Sequence, residues 1–374
     1  MTDRGHEQVV FVADRASGLR AVIAIHSTAL GPSLGGIRFW RYASEAHAVR
    51  DVLRLSEAMT LKAAVAGLHQ GGGKAVVFVE DPDEPRSEEL LRAMGRAIDE
   101  LGGRYIAAED VGATPRDMDV IARETPWVTG VDEELGGSGD PSPVTAWGVL
   151  YGMRAVCRDL FGDASLSGRR AVVQGAGHVG AHLVQLLHDA GADVAVADVN
   201  PARAARVAAE HGTQVVDDHC VLQEPCDLLA PCALGGVISR EVVPTLRCRA
   251  IVGAANNQLS DPSVARELEA RGIVYAPDFV VNAGGIINIA EEFLGYSRER
   301  ALEKAAGIEA TTARVLETAR TLGITAEQAA EELARRRIAA EAVPGRRWSP
   351  GSPTAWTNGE PLRTLRPTRA RRPD

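Results

Sequence analysis

The chain has 374 residues, 45% of them hydrophobic and 24% charged, with a formal net charge of −9. A single core stops growing at roughly 250–300 residues, so two domains are expected. The acidic balance argues against nucleic acid or an anionic membrane surface as the main partner, and no run of about 18 apolar residues predicts a membrane span.

Along the chain, Gln8–Val12 and Leu19–Ile25 are β-rich runs joined by a Ser17-Gly18 turn, the pattern of a hairpin. Gly31-Pro-Ser-Leu-Gly35-Gly36 reads as a loop by composition. Ser44 opens a helical pattern running to Ala66, with Ala48, Val52, Leu55 and Met59 at three- and four-residue steps. The glycine triplet 71–73 then leads into a strand over Ala75–Val79, which sets Lys74 at a loop-to-strand junction and Lys62 near the end of the helix before it. A helix over 87–101 and a short strand over Arg104–Asp110 follow. The Gly-, Pro- and Ser-rich stretch 134–143 marks a domain boundary.

Past a helix at 144–160, the strand Arg170–Gln174, a turn at 175–180, a helix at 181–190 and the strand Val194–Asp198 begin an alternation that continues to residue 281. It implies a parallel doubly wound sheet and an α/β fold class. Two more helices close the folded region, and Thr325-Ala-Glu-Gln328 has the form of a capping box. The division expected is 1–135 with 320–343 as one domain and 136–319 as the other. Residues 344–374, rich in Pro and Arg, are expected to be disordered for want of apolar surface.

Gly175-Ala176-Gly177-His178-Val179-Gly180 follows a strand, opens a helix and is succeeded by Asp198 at the end of the next strand. In that context the spacing is a dinucleotide-binding fingerprint. The first two glycines allow the tight turn and close approach of a pyrophosphate, and Gly180 lets helix and strand pack. Free N–H groups at the helix start then hold the phosphates. A carboxylate at 198 accepts from the ribose hydroxyls and repels a 2′-phosphate, so NAD is favoured over NADP, with Arg203 as a weak counter-signal.

Only three lysines, Lys62, Lys74 and Lys304, stand against 38 arginines, and the first two bracket the glycine triplet. Unlike arginine, a lysine can be driven towards neutrality by burial or a nearby cation and then act as a base. Lys74 is followed by Ala75 and a strand, which excludes a P-loop. Two cations and a nearby carboxylate suit an amino acid substrate. The five cysteines lack the tight pairing of a zinc site, so no metal is expected, and reduced thiols with no signal-peptide pattern in Met1–Glu7 point to a cytoplasmic protein. His69 and His178 read as loop residues rather than catalysts.

From residue 6 to residue 340 the chain resembles the Leu/Phe/Val branch of the amino acid dehydrogenase superfamily. The motifs that carry the likeness are Gly31–Gly36, Gly71–Lys74, Ala108–Gly112, Pro141–Ala146, Ala230–Gly235, Gly253–Leu259 and Tyr275–Gly285. The resemblance implies a substrate domain and a Rossmann-type NAD domain with a cleft between them, and assembly as a homo-oligomer. The activity implied is NAD-dependent oxidative deamination of an L-amino acid to the 2-oxo acid and ammonium, and its reverse.

By motif, Lys74 corresponds to the catalytic base, activating water against an iminium, Asp110 to its proton-relay partner and Lys62 to the substrate-carboxylate ligand. Gly35 and Gly36 border the substrate, Asn256 and Asn257 lie between substrate and nicotinamide, Thr145 contacts the nicotinamide amide, and Cys232 and Ala233 run along the cofactor. Leu34, Met59, Ala108, Ile286 and Ile289 fall on the family's specificity positions. All five are apolar, which disfavours glutamate, and isoleucine at 286 and 289 narrows the pocket towards valine. One methylene discriminates by only about 1–3 kcal/mol, so leucine and isoleucine overlap. Leu61 and Ala63 depart from the aromatic and the asparagine that usually flank the carboxylate-binding lysine. The alternatives are a phenylalanine or glutamate dehydrogenase on the same scaffold, or a catalytically silent NAD-binding sensor.

Overall fold

The computed structural model describes residues 5–342 and Trp348, and the expected disordered tail lies outside these residues except for that tryptophan. Two compact units form. The first holds the described residues up to Gly139, Ile289–Arg298 and the described residues from Ala334 onward; the second holds Asp140–Asn288 and Glu299–Leu333. The first thus takes up 289–298 and leaves 320–333 to the second, where the sequence pattern assigned both stretches the other way.

In the first unit, β1 (Gln8–Asp14) and β2 (Leu19–Ser27) form the expected hairpin. Then come β3 (Ser33–Trp40), α1 (Glu45–Val65), β4 (Gly71–Phe78), α2 (Glu88–Asp99), β5 (Tyr105–Glu109) and α3 (Pro115–Ile121). The sheet runs β1-β2-β4-β3-β5, antiparallel through β2/β4 and parallel where β3 pairs with β4 and β5. Ser44 caps α1 by accepting from the His47 N–H. The helix buries Ala48 and Val52 against Val22, Ala24 and Val76 of the sheet.

Two local expectations fail here. Ser33–Gly36 is strand rather than loop, and Gly71–Gly73 is strand rather than its approach, so Lys74 sits mid-strand in β4. The reason is close packing. A Cβ on Gly72 would lie 2.1 Å from the Thr60 backbone nitrogen, so α1 can seat on the sheet only over a glycine.

The second unit begins with α4 (Ser142–Phe161) and continues through β6 (Arg170–Gln174), α5 (His178–Asp189), β7 (Asp193–Ala197), α6 (Pro201–His211), β8 (Gln214–Val215), β9 (Cys226–Pro231), β10 (Cys248–Ile251), α7 (Val264–Ala270) and β11 (Val274–Tyr275). The sheet order is β11-β10-β9-β6-β7-β8, with every pairing parallel. The order reverses between β6 and β9, so the carboxyl ends of those strands form the crevice where doubly wound sheets bind ligands. Val172, Leu229, Ile251, Leu268 and Tyr275 are part of the core on one face.

The short helices α8 (Asp278–Val281) and α9 (Gly284–Ala290) follow, then α10 (Arg298–Leu322) and α11 (Ala326–Glu341). The capping box at the start of α11 is present in both directions. Thr325 Oγ1 accepts from the Gln328 N–H at 3.2 Å, and Gln328 Oε1 accepts from the Thr325 N–H at 3.1 Å. Among the described residues, no helix is long and apolar enough to cross a membrane.

Candidate active site

In the first unit most of the candidate residues collect on one face of the sheet. The register Leu34↔Gly72 and Ile37↔Ala75 sets Gly36 beside Lys74, and Gly36 pairs on its other side with Ala108. Lys74, Gly36 and Ala108 therefore form one row across the three strands, on the face where α1 packs over Gly72. Position 36 must be glycine because a Cβ there would come within 2.6 Å of the Asp110 Cβ. That space lets Lys74 reach Asp110, which follows β5, at 2.9 Å between Nζ and Oδ1.

Lys74 is only 4% exposed. Burial holds its ammonium below the ordinary lysine range, and the Arg38 cation adds to the lowering while Asp110 opposes it. Burial alone would raise the Asp110 carboxyl, but Lys74 and Arg38 together keep it below the ordinary carboxylate range. Leu34 is wholly buried on β3 and Ala108 nearly so on β5, while Met59 and Lys62, both on α1, are half-buried. Gly35 is packed so closely that a Cβ would meet the Gly73 carbonyl oxygen at 1.8 Å.

The sequence motifs missed Arg38. Its Nε–H donates to Asp110 Oδ2 at 2.7 Å and its Nη1 to Asp51 Oδ2 at 3.1 Å. The signal was available: a lone arginine inside the otherwise uncharged strand Ser33–Trp40.

In the second unit the glycine turn is shorter than expected, because α5 starts at His178 with Gly177 as its N-cap. His178 therefore lies in the first helical turn, exposed, with Asp140 Oδ2 3.4 Å from its Nδ1. Gly175 adopts φ of +100°. A Cβ on Gly180 would lie 1.8 Å from the Gly175 carbonyl oxygen, whereas nothing lies within 4 Å of a Cβ built on Gly177. Gly180 thus serves packing, and Gly177 leaves open space at the helix start of the kind a pyrophosphate fills. Ala176 and Val179 complete the turn.

Asp198 follows β7 and is 8% exposed. Its Oδ2 accepts from the Ala176 N–H and its Oδ1 from the Asn200 N–H, both at 2.8 Å. Those bonds, with Arg203 at 3.5 Å, keep its carboxyl below the ordinary range despite its burial. This donor and acceptor set fits a dinucleotide.

Cys232 and Ala233 follow β9 across the crevice, where the Cys232 N–H donates to the Gln174 carbonyl at 2.7 Å. Thr145 in α4 is buried, and its hydroxyl donates to the Pro141 carbonyl at 3.0 Å. Asn256 and Asn257 are exposed beyond β10. Asn257 has φ of 53°, the sole left-handed non-glycine among the described residues, and Asn256 Oδ1 accepts from Asn282 Nδ2 at 2.9 Å. Ile286 is buried in the second unit, and Ile289 belongs to the first. Burial pushes the Cys157 and Cys248 thiols up to about 11 and Cys232 to about 12.

Residues 6–127 match the family described as Glu/Leu/Phe/Val dehydrogenase, dimerisation domain. Residues 136–202 and 197–343 match Glutamate/Leucine/Phenylalanine/Valine dehydrogenase. The chain is 50% identical to a leucine dehydrogenase of Thermoactinomyces intermedius over 333 residues, 89% of this chain and 91% of the relative. It is 51% identical to a valine dehydrogenase of Streptomyces virginiae over 337 residues, 89% of this chain and 94% of the relative. Among solved structures, the L-tryptophan dehydrogenase from Nostoc punctiforme superposes with a TM-score of 0.83 at 39% identity, covering 91% of this chain and 98% of that one.

Proposed function

The chain belongs to the Glu/Leu/Phe/Val dehydrogenase family, and from that premise we propose that its two units divide an NAD-dependent oxidative deamination between them. It is a branched-chain amino acid dehydrogenase, and members of its family use NAD or NADP. The finer reading is that NAD is the cofactor, L-valine the favoured substrate, and leucine and isoleucine overlapping ones.

The observation that carries the reading is the contact of buried Lys74 with partly exposed Asp110 at 2.9 Å. A lysine whose proton is loosened by burial can take one from water, and the carboxylate beside it can pass protons to and from the departing nitrogen. Lys62 supplies the positive charge for the substrate carboxylate. Gly35 and Gly36 leave backbone at the substrate's edge, and Leu34, Met59, Ala108, Ile286 and Ile289 select an aliphatic side chain.

On the nucleotide side, Gly175–Gly180 and the start of α5 hold the phosphates and Asp198 the adenine ribose. Thr145, Cys232, Ala233, Asn256 and Asn257 orient the nicotinamide end. When bound, NAD supplies the acceptor for the hydrogen leaving Cα. The match of the first unit to a dimerisation domain supports a homo-oligomer. Five cysteines that are all free fit a reducing, cytoplasmic setting.

The test is a panel of L-valine, L-leucine and L-phenylalanine with NAD⁺ and with NADP⁺, read by reduced-cofactor absorbance. The highest kcat/KM is expected for valine with NAD⁺. Preference for phenylalanine or for NADP⁺ would overturn the finer reading, and no turnover with any branched-chain substrate would overturn the whole.

A further inference from the structure

Arg38 bridges two carboxylates in the first unit. Its Nε bonds Asp110 Oδ2 at 2.7 Å and its Nη1 bonds Asp51 Oδ2 at 3.1 Å. Asp51, on α1, is itself fixed by the Tyr42 hydroxyl at 2.8 Å and by Arg54 at 2.9 Å. The chain of contacts therefore runs Tyr42, Asp51, Arg38, Asp110, Lys74 and ties α1 to β3, β4 and the segment that follows β5. Each carboxylate oxygen of Asp110 has its own partner, Arg38 on Oδ2 and Lys74 on Oδ1.

We propose that Arg38 is a positioning residue for the reaction: it pins one oxygen of Asp110 so that the other faces Lys74, and Asp51 with Tyr42 holds the guanidinium to that task. The inference rests on Lys74 as the base and Asp110 as the relay. A planar guanidinium suits it because two of its N–H groups point along fixed, different directions, which a lysine cannot reproduce.

Electrostatics give the role a signature that a plain structural brace lacks. The groups facing Lys74 are Asp110 beyond β5, Arg38 of β3, and Asp51 of α1 with Tyr42 before it. Tyr105 of β5 lies beside Gly73, and Lys62 occupies the last turn of α1. Arg38 lowers the Lys74 ammonium and the Asp110 carboxyl alike. Its removal should therefore make Lys74 harder to deprotonate.

The experiment compares Arg38→Met and Arg38→Lys with the parent enzyme over a pH series with L-valine and NAD⁺, counting folded sites by NADH binding. Arg38→Met is expected to move the acidic limb of kcat/KM to higher pH; a shift of about one unit costs about tenfold below the limb. Arg38→Lys keeps the cation and loses the fork, so its limb should stay while kcat per folded site falls about tenfold.

An unmoved limb in Arg38→Met, or parental kcat in Arg38→Lys, overturns the proposal. Should Arg38→Met not fold, the kcat and limb of Arg38→Lys decide alone. Lys74→Ala in the same assay separates the two levels. If it is inactive while the Arg38 variants behave as the parent, only the positioning role falls; if it turns over normally, both readings fall.

Discussion

The Asp198 carboxylate accepts from the Ala176 backbone N–H at 2.8 Å, joining the acid after β7 to the glycine turn after β6. One oxygen of this carboxylate therefore braces the glycine turn, and the group stays charged, as the proposed ribose contact requires. Asp198→Ser should raise KM for NAD⁺ by about tenfold, the cost of a lost charge-assisted hydrogen bond. It should also narrow the preference over NADP⁺, because the repulsion of a 2′-phosphate goes with the charge. Steady-state KM values for both cofactors check this, and an unchanged ratio would remove Asp198 from the ribose.

Lys62→Ala should act on the amino acid and leave the cofactor alone. Loss of the carboxylate's counter-charge is expected to raise KM for L-valine at least about tenfold, with KM for NAD⁺ near the parent value. A parental KM for valine would take the carboxylate away from this lysine.

The pH profile carries a sign. Asp110 raises the Lys74 ammonium, which burial and Arg38 lower. Asp110→Asn removes the opposing negative charge, so the acidic limb of kcat/KM should move to lower pH. Turnover should still fall by about a hundredfold because the proposed proton relay is lost. A limb moving to higher pH would mean that the titrating group is not Lys74.

Gly36→Ala tests the row of the sheet on which Lys74 lies. The new methyl would meet the Asp110 Cβ at 2.6 Å and the Glu109 carbonyl oxygen at 2.5 Å. Relief requires the segment after β5 to shift, at a cost of about 1–3 kcal/mol. Both a lower Tm and a kcat loss are expected. A lower Tm with parental kcat would show that the Lys74–Asp110 distance is not critical.

Much of the fold was legible because it rests on local pattern. The hairpin appears where β-rich runs flank Ser17-Gly18, and α1 starts at the capping Ser44. The β6 strand, the glycine turn and Asp198 fall where the fingerprint spacing sets them. Boundaries were less legible, since α5 begins at His178, inside the motif that composition reads as a turn.

Glycine was the main source of error. Gly35, Gly36 and Gly71–Gly73 carry a loop composition, yet they lie in strands. A glycine chosen for turn geometry and one chosen for close approach are the same letter. Only the Thr60 nitrogen over Gly72 and the Asp110 Cβ over Gly36 distinguish them. Arg38 escaped for a related reason: its partners, Asp51 and Asp110, lie 13 and 72 residues away in the chain.

By its own order of letters the chain determined which groups could do chemistry, because scarce lysines, a spaced glycine turn and a trailing acid are properties of sequence. Tertiary structure alone decided which of them meet. Parallel pairing of β4, β3 and β5 brings distant residues into one row, and burial there sets the proton affinity of Lys74 through desolvation and long-range charge, neither of which a linear pattern encodes.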